Sequence, residues 1–243
     1  KPQNMSNNAA VADDGGEIGR AQALQAIACG RALSVHMNPV LLKPESDTGS
    51  QVIVQGQVRG RLNAREFGGA RASLLTAVLE SFAILSKTAD LIIVEGAGSP
   101  AEINLKKTDL VNMFIAEKAE APVLLVGDID RGGVFAWLKG TYDLLSESEQ
   151  NRIMGFIINK FRGDLELLKP GVEQFEKMVD KPVLGVVPYC KELVIDEEDS
   201  IPQRFYSAEK NVPGILDMAI IELPRISNFT DLSPLAHDPS ISL

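Results

Sequence analysis

From residue 91 onward, short apolar runs alternate with stretches of helical spacing. The runs 91–94, 123–126, 155–158 and 183–187 are near-continuously apolar, a pattern that predicts strands buried on both faces. Between them, residues 108–120, 133–145 and 165–179 are the predicted helices. Strand and helix in strict alternation predict an α/β fold with a doubly wound, mostly parallel sheet. Upstream the pattern is mixed. Residues 1–16 are rich in Asn, Ala, Asp and Gly and predict a solvated loop, and residues 19–32 place Ala21, Leu24, Ala28 and Ala32 at helical spacing. A short strand is expected at 37–43 and an alternating, edge-type strand at 51–55; Asn63 is expected to cap a long helix reaching about Lys87. After the last run the character changes. Glu192, Asp196, Glu197, Glu198 and Asp199 make an acidic, proline-punctuated linker, and residues 218–223 predict a strand that opens a second domain.

Composition narrows the partners. A net charge of -9 argues against nonspecific nucleic-acid binding. Two cysteines without a CxxC exclude a disulfide scaffold and a zinc ribbon, and both are read as structural residues in a reducing cytoplasm. Two distant histidines make a His-based metal site an unfavourable reading. No apolar run is expected to approach the roughly 18 residues of a membrane span. The first residues carry neither an initiator methionine nor a signal-peptide pattern, and the chain reads as an internal piece of a longer protein.

Polar and glycine-rich segments follow several of the predicted strands. In an open parallel sheet, ligands bind outside the carboxyl ends of the strands. Glu95-Gly96-Ala-Gly98 follows the first run: a carboxylate for Mg²⁺, with glycines that let backbone approach phosphates. Asp128-Ile-Asp130-Arg131-Gly-Gly133 follows the second, just before a helix whose free N–H groups favour anions, and Arg131 is the phosphate candidate. Asn159-Lys160-Phe-Arg162-Gly follows the third. The side-chain amide of Asn159 matches the N6/N7 edge of adenine, or it caps the following turn. Asp128 and Asp130 are read as metal or water ligands or as helix caps. Lys1 is a candidate to neutralise a transferring phosphoryl group. No G-x-x-x-x-G-K-[ST] phosphate loop occurs in the sequence.

Seven motifs together carry a resemblance: Lys1-Pro-Gln-Asn-Met-Ser-Asn-Asn, Gly16-Glu-Ile-Gly-Arg-Ala-Gln22, Met37-Asn-Pro-Val-Leu-Leu-Lys-Pro-Glu-Ser-Asp47, Val94-Glu-Gly-Ala-Gly-Ser-Pro-Ala-Glu-Ile-Asn-Leu105, Asp128-Ile-Asp-Arg-Gly-Gly-Val-Phe135, Ile157-Ile-Asn-Lys-Phe-Arg-Gly-Asp164 and Ile226-Ser-Asn-Phe-Thr-Asp231. Over its whole length the sequence resembles the cobyric acid synthase family. The resemblance implies a P-loop NTPase-like amidoligase domain, similar to dethiobiotin synthetase, over residues 1–190. It also implies a linker at 191–216 and the start of a class I glutaminase domain at 217–243. Its implied reaction is ATP- and glutamine-dependent amidation of the b, d, e and g carboxylates of adenosylcobyrinic acid a,c-diamide, through acyl phosphates, in cobalamin biosynthesis.

By the same resemblance, Glu95 holds Mg²⁺, Lys1 lies near the phosphoryl-transfer centre, and Asn159 contacts adenine; Lys160, Arg131, Gly96 and Gly98 are the further cofactor-binding candidates from their places after the strands. Asn4, Asn7, Glu17, Arg20, Gln22 and Asp47 are the corrinoid-carboxylate candidates. The implied partners are the corrinoid and glutamine-derived ammonia, with no nucleic acid and no membrane. A phosphate loop is expected upstream of Lys1 and the Cys-His-Glu glutaminase triad downstream of Leu243, so the isolated chain is expected to be inactive. Alternatives are a ParA/MinD-like partner-switching ATPase, a cobyrinic acid a,c-diamide synthase-like amidoligase, and an inactive fragment.

Overall fold

A computed structural model describes residues 1–46, 48–63, 66–190, 216–221 and 228–242. The chain divides into two compact units, residues 1–93 with 194–243, and residues 94–193. Asp47 and the acidic linker lie outside the described residues.

The second unit carries the alternation that the sequence predicts. Its sheet is parallel, in the order β7 (Val123–Asp128), β8 (Ile153–Phe161), β9 (Val183–Pro188). Between the strands lie α4 (Val134–Leu144), α5 (Glu147–Arg152) and α6 (Leu165–Val179). Phe156 of β8 is fully buried and meets Phe175 of α6 edge-on at 4.9 Å, and Phe135 of α4 completes the aromatic core 5.6 Å from Phe175. Leu125, Val134, Leu138, Ile158 and Val179 pack around them. The strands are not buried on both faces as expected, because Leu124, Val126 and Leu184, which alternate with core positions, are exposed. Two helical expectations change. Residues 106–118 form a 3-10 turn, Lys106–Thr108, and a short helix α3, Met113–Lys118, instead of one helix over 108–120. The pattern also missed α5, which is fixed by a reciprocal cap: the Ser146 hydroxyl and the Glu149 carboxylate each satisfy the other residue's end of the first turn.

The expected strand at 91–94 does not form; the segment is irregular, with Leu91 77% and Ile93 86% exposed. Four apolar residues meet the propensity requirement, but a strand also needs a neighbour for its N–H and C=O groups, and the described sheet of β7, β8 and β9 supplies none.

In the first unit, β1 (Gln3–Met5), β4 (Val40–Pro44), β5 (Gly49–Val54) and β6 (Gln57–Asn63) form a mixed sheet in that order. β1 runs parallel to β4, while β5 and β6 form an antiparallel hairpin. The hairpin turns at Gln55 and Gly56, both left-handed (φ 47° and 78°), as a tight two-residue turn requires. A second hairpin pairs β2 (Ala9–Val11) with β3 (Glu17–Gly19), and β3 runs straight into α1 (Arg20–Ala28). The reading of 1–16 as solvated loop is therefore corrected: it holds two strands, and Asn4, Ser6 and Asn8 are buried. The helix α2 (Phe67–Leu85) follows a reciprocal pair in which Glu66 N–H donates to Asn63 Oδ1 (3.1 Å) and Asn63 N–H to Glu66 Oε2 (3.1 Å). Asn63 thus stands at the end of β6, one turn before the helix it was expected to cap.

Within α2, Gly68–Leu85 is long and apolar enough to cross a membrane, which corrects the expectation that no run approaches that length. Its burial has another form. Leu74, Ala77, Val78 and Ser81 recur at three- and four-residue intervals, the stripe of a helix packed on a core, and α2 packs against β4. Ser81, at 0% exposure, lies 3.0 Å from His36 Nδ1. At the carboxyl end, β10 (Leu216–Asp217) pairs in parallel with β11 (Ile241–Ser242), with α7 (Ser233–His237) between them.

Candidate functional site

The carboxyl ends of β7 and β8 meet in register, with Asp128 opposite Asn159. Just beyond, Ile129 N–H donates to Asn159 O (3.1 Å), which carries the ladder one residue past the strand. The chain then passes through left-handed residues after both strands. After β7, Asp128 Oδ1 accepts from Asp130 N–H (2.9 Å), and Gly132 and Gly133 are both left-handed (φ 78° and 68°) before α4 begins. Gly133 offers α4 no capping side chain. Gly127 lets α4 approach β7, since a Cβ there would stand 2.8 Å from Val134. After Asn159, Lys160 is itself left-handed (φ 61°), and its N–H is held by Asn159 Oδ1 (2.9 Å).

This geometry gathers charge at one rim. Lys160 Nζ donates to Asp128 Oδ2 at 2.8 Å, and Arg162 pairs with Asp130 at 3.0 Å. Arg162 also stacks on Tyr189, its guanidinium carbon 3.5 Å from the ring centre. The hydrogen bond from Lys160 holds the Asp128 carboxyl below the usual range; partial burial opposes it, and the Asp130 N–H and the charges of Lys160 and Arg131 add to it. Arg131 has no ion-pair partner among the described residues, which leaves its charge available to an anion beside an uncapped helix start. The amide NH₂ of Asn159 donates to no group among the described residues, while its oxygen keeps a second lone pair. One donor and one acceptor remain for a planar ligand edge.

Glu95, Gly96 and Gly98 belong to the same unit but not to its sheet. Asn112, just before α3, holds their loop from both sides: its Oδ1 accepts from Ala97 N–H (3.1 Å) and its Nδ2 donates to Ala97 O (2.8 Å). A Cβ on Gly96 would come within 2.4 Å of Asn112 Oδ1, so this latch requires glycine there; Gly98 is left-handed (φ 60°). Among the described residues no group of three or more His, Cys, Asp or Glu side chains is gathered for a metal. An exposed carboxylate such as Glu95, outside any such group, fits Mg²⁺ only as a partner to phosphate oxygens and water, which is how this ion is commonly held.

The remaining candidates lie in the first unit. Asn4 Nδ2 donates to Gln22 Oε1 (3.1 Å), so these two buried amides are engaged with each other. Asn38, which sequence reasoning missed, accepts from Gly19 N–H (2.9 Å) and donates to Val40 O (2.9 Å) and Lys1 O (3.2 Å). Gly19 allows the cluster, because a Cβ there would fall 2.5 Å from Asn4 Nδ2. The Lys1 main-chain nitrogen donates to Met37 O (2.9 Å), and Glu17 is ion-paired with Lys43 at 2.8 Å. Two candidates differ from these. The half-buried Asn7 side chain has no hydrogen bond among the described residues, and the buried Nε of Arg20 has no partner there either. Cys29 and Cys190 are exposed, not core residues.

Asn112, Tyr189 and Asn38 were not singled out from sequence. Asn38 lies inside the Met37-Asn-Pro motif and was findable there; the other two have no local signal, since each acts on a loop distant in the chain.

A family model described as "AAA domain" matches residues 61–196, more than half of the chain. The chain belongs to the AAA domain family. The AAA domain accounts for the parallel α/β unit and ties the chain to ATP binding. Relatives extend the likeness across all of the chain. It is 54% identical over 243 residues to cobyric acid synthase of Caldanaerobacter subterraneus subsp. tengcongensis, covering 100% of this chain and 47% of that protein. It is 55% identical over 244 residues to cobyric acid synthase of Allorhizobium ampelinum, and 52% identical over 243 residues to that of Vibrio parahaemolyticus serotype O3:K6, covering 50% of each. The resemblance drawn from the motifs therefore holds from end to end, and the chain spans about half the length of the curated relatives it matches. No solved structure matches the chain.

Proposed function

We propose that this AAA-domain chain is the ATP-using part of an enzyme that amidates the b, d, e and g carboxylates of adenosylcobyrinic acid a,c-diamide, with glutamine as the source of ammonia. The observation that carries this reading is the identity of 54% along the whole chain with a protein named cobyric acid synthase. In this reading residues 1–190 form the amidoligase domain, 191–216 a linker, and 217–243 the first part of the glutaminase domain. The enzyme works in the cytoplasm, where the exposed thiols of Cys29 and Cys190 stay reduced.

The substrate carboxylate oxygen attacks the γ-phosphorus of ATP, and ADP departs. Ammonia then adds to the acyl carbon, and phosphate leaves as the amide forms and a proton is released. Such transfer needs positioning and charge neutralisation above all. Asn159 reads the adenine edge, with Lys160 beside it, and Arg131 with the open start of α4 receives phosphate oxygens. Glu95 would hold Mg²⁺ against those oxygens, where the ion supplies charge neutralisation, and Gly96 and Gly98 let the backbone come close. Lys1 neutralises the transferring group.

For the corrinoid, the engaged state of Asn4, Gln22 and Glu17 makes them supports, and Asn7 and Arg20 the groups that meet a carboxylate. Asp47 stays a candidate on its motif alone.

The test is a Glu95→Gln variant of the whole enzyme, assayed for the amide products of the corrinoid by mass spectrometry and, separately, for glutamate release from glutamine. Amidation should fall by at least about 100-fold while glutamine hydrolysis persists. Full amidation would remove Glu95 from the mechanism, and a wild-type enzyme that leaves the corrinoid unchanged would overturn the reading.

A further inference from the structure

One of the seven motifs has no part in the chemistry above: the segment Ile226-Ser-Asn-Phe-Thr-Asp231, near the opposite end of the chain from the Asn-rich first strands. Its Asn228 meets those strands. Asn228 N–H donates to Asn8 Oδ1 at 2.6 Å across 220 residues of sequence, and Ala9 N–H donates to Asn228 Oδ1 at 3.0 Å. The bridge is reciprocal: each asparagine side chain accepts one N–H from the other segment. Asn228 is left-handed (φ 55°), a conformation Asn tolerates better than most residues, and its carbonyl accepts from Asp231 N–H (3.0 Å) to start the 3-10 turn Phe229–Leu232.

On the other side of the bridge, Asn8 is a buried node. Its N–H donates to Ser6 Oγ (3.1 Å) and its carbonyl accepts from Arg20 N–H (3.0 Å). Ala9 pairs with Gly19, the residue before Arg20. The two side chains that remain open among the corrinoid candidates, Asn7 and Arg20, therefore adjoin this node, one by chain and one by hydrogen bond. An ion-pairing group is effective only when its backbone is fixed, and here one anchor comes from the far segment.

We propose that Asn228 is a positioning residue: by clasping Asn8 and Ala9 it fixes the β2–β3 hairpin and, through Asn8, holds Asn7 and Arg20 where a substrate carboxylate is bound. The functional half of this claim rests on the amidation reading. The clasp also ties the segment that opens the proposed glutaminase domain to the strands that receive the substrate.

The test uses the whole enzyme with two substitutions. Asn228→Gly keeps the left-handed backbone free of strain and removes the acceptor; Asn228→Asp keeps the acceptor. In the glycine variant, amide exchange at Ala9 should speed up, and KM for the corrinoid should rise about three- to tenfold, the range of one lost hydrogen bond. Its KM for ATP and its rate of glutamine hydrolysis should stay unchanged, and the aspartate variant should restore both the Ala9 protection and the corrinoid KM. An unchanged Ala9 exchange rate would overturn the clasp. Faster exchange with an unchanged corrinoid KM, or a parallel rise in KM for ATP, would overturn the positioning role while leaving the amidation reading intact. A wild-type enzyme that does not amidate the corrinoid would overturn that reading and the positioning role with it.

Discussion

The two units treat their polar side chains in opposite ways. In residues 1–93 with 194–243, amides are buried and bonded to one another or to backbone: Asn4 to Gln22, Asn38 to three main-chain groups, Asn8 to Asn228. In residues 94–193, the polar groups gather at a strand rim, are charged, and are half-buried or exposed: Asp128 with Lys160, Asp130 with Arg162, and Arg131 outside any ion pair among the described residues. Burial raises what is at stake in a hydrogen bond, because an orphaned group loses its water as well as its partner. Exposure lowers what an ion pair contributes to stability and leaves its charges open to a ligand. The buried amides of the first unit are therefore a scaffold, on which the proposed carboxylate-binding groups Asn7 and Arg20 stand, and the second pattern leaves an edge open to a ligand.

The sharpest way to break this contrast is to cut one amide. Asn38, at 1% exposure, bonds Gly19 N–H, Lys1 O and Val40 O. Asn38→Ala should cost about 3 kcal/mol, since buried main-chain groups lose their partner together. Urea unfolding measures it; a loss below about 1 kcal/mol would mean that water reaches the cluster and that the scaffold reading is wrong.

The opposite outcomes of sequence reading in the two units have the same origin. In the second unit, α6 spans Leu165–Val179, the range predicted for it, with Asp164 accepting from Glu166 N–H as its cap. β7, β8 and β9 appear where the apolar runs are, because core burial and propensity agree there. The rim residues were legible for the same reason: the residues directly after a buried strand lie at its end, so Asp128, Arg131, Asn159 and Lys160 could be assigned to one edge without coordinates. The failures are of two kinds. Residues 91–94 have the composition of a strand, but pairing is a property of a neighbour and no composition encodes it. Asn4, Asn8 and Asn38 were read as solvated or passed over, since polarity suggests water and only partners distant in sequence make burial tolerable. β6 was missed because Arg59-Gly60-Arg61 breaks its alternation, although the Gln55-Gly56 turn before it was a readable signal.

A middle case calibrates the scale. The cap of α5 joins an exposed serine to a glutamate that also pairs with Lys106 at 2.5 Å. Ser146→Ala should cost about 1 kcal/mol, between the buried amide and the exposed ion pairs. Equal losses for Asn38→Ala and Ser146→Ala would remove burial as the deciding variable.

At the rim, Lys160→Ala should change stability by less than about 0.5 kcal/mol, because the lysine is roughly half exposed and its pair is screened by solvent. Its effect should appear in nucleotide binding instead, with ATP held about tenfold more weakly by titration calorimetry on the whole enzyme, the loss of one charge-assisted contact. A destabilised variant with unchanged ATP affinity would assign the rim to the scaffold.

The smallest effect is in acid, and it separates causes that the larger ones combine. Among the described residues, three carboxyls are held below their ordinary range. Asp128 is lowered first by the hydrogen bond from Lys160. For Glu149 burial acts upward and is outweighed by hydrogen bonds from Lys106 and Ser146. Asp238, in the other unit, is lowered by the hydroxyl and N–H of Ser240. A carboxyl whose folded pKa is depressed contributes its stabilisation fully above its unfolded value, about 4, and loses it as pH falls through the folded value. Acid should therefore weaken the Asp128 pair only below about pH 4, and neutral conditions leave it intact. Carboxyl-carbon NMR titration can follow each group separately. In Lys160→Ala the Asp128 midpoint should rise toward the ordinary carboxylate range while Glu149 and Asp238 stay where they are; in Lys106→Ala only Glu149 should move. If Lys160→Ala shifts all three midpoints together, the charges act as a long-range field, and the rim ceases to be a local device built from one lysine and one aspartate.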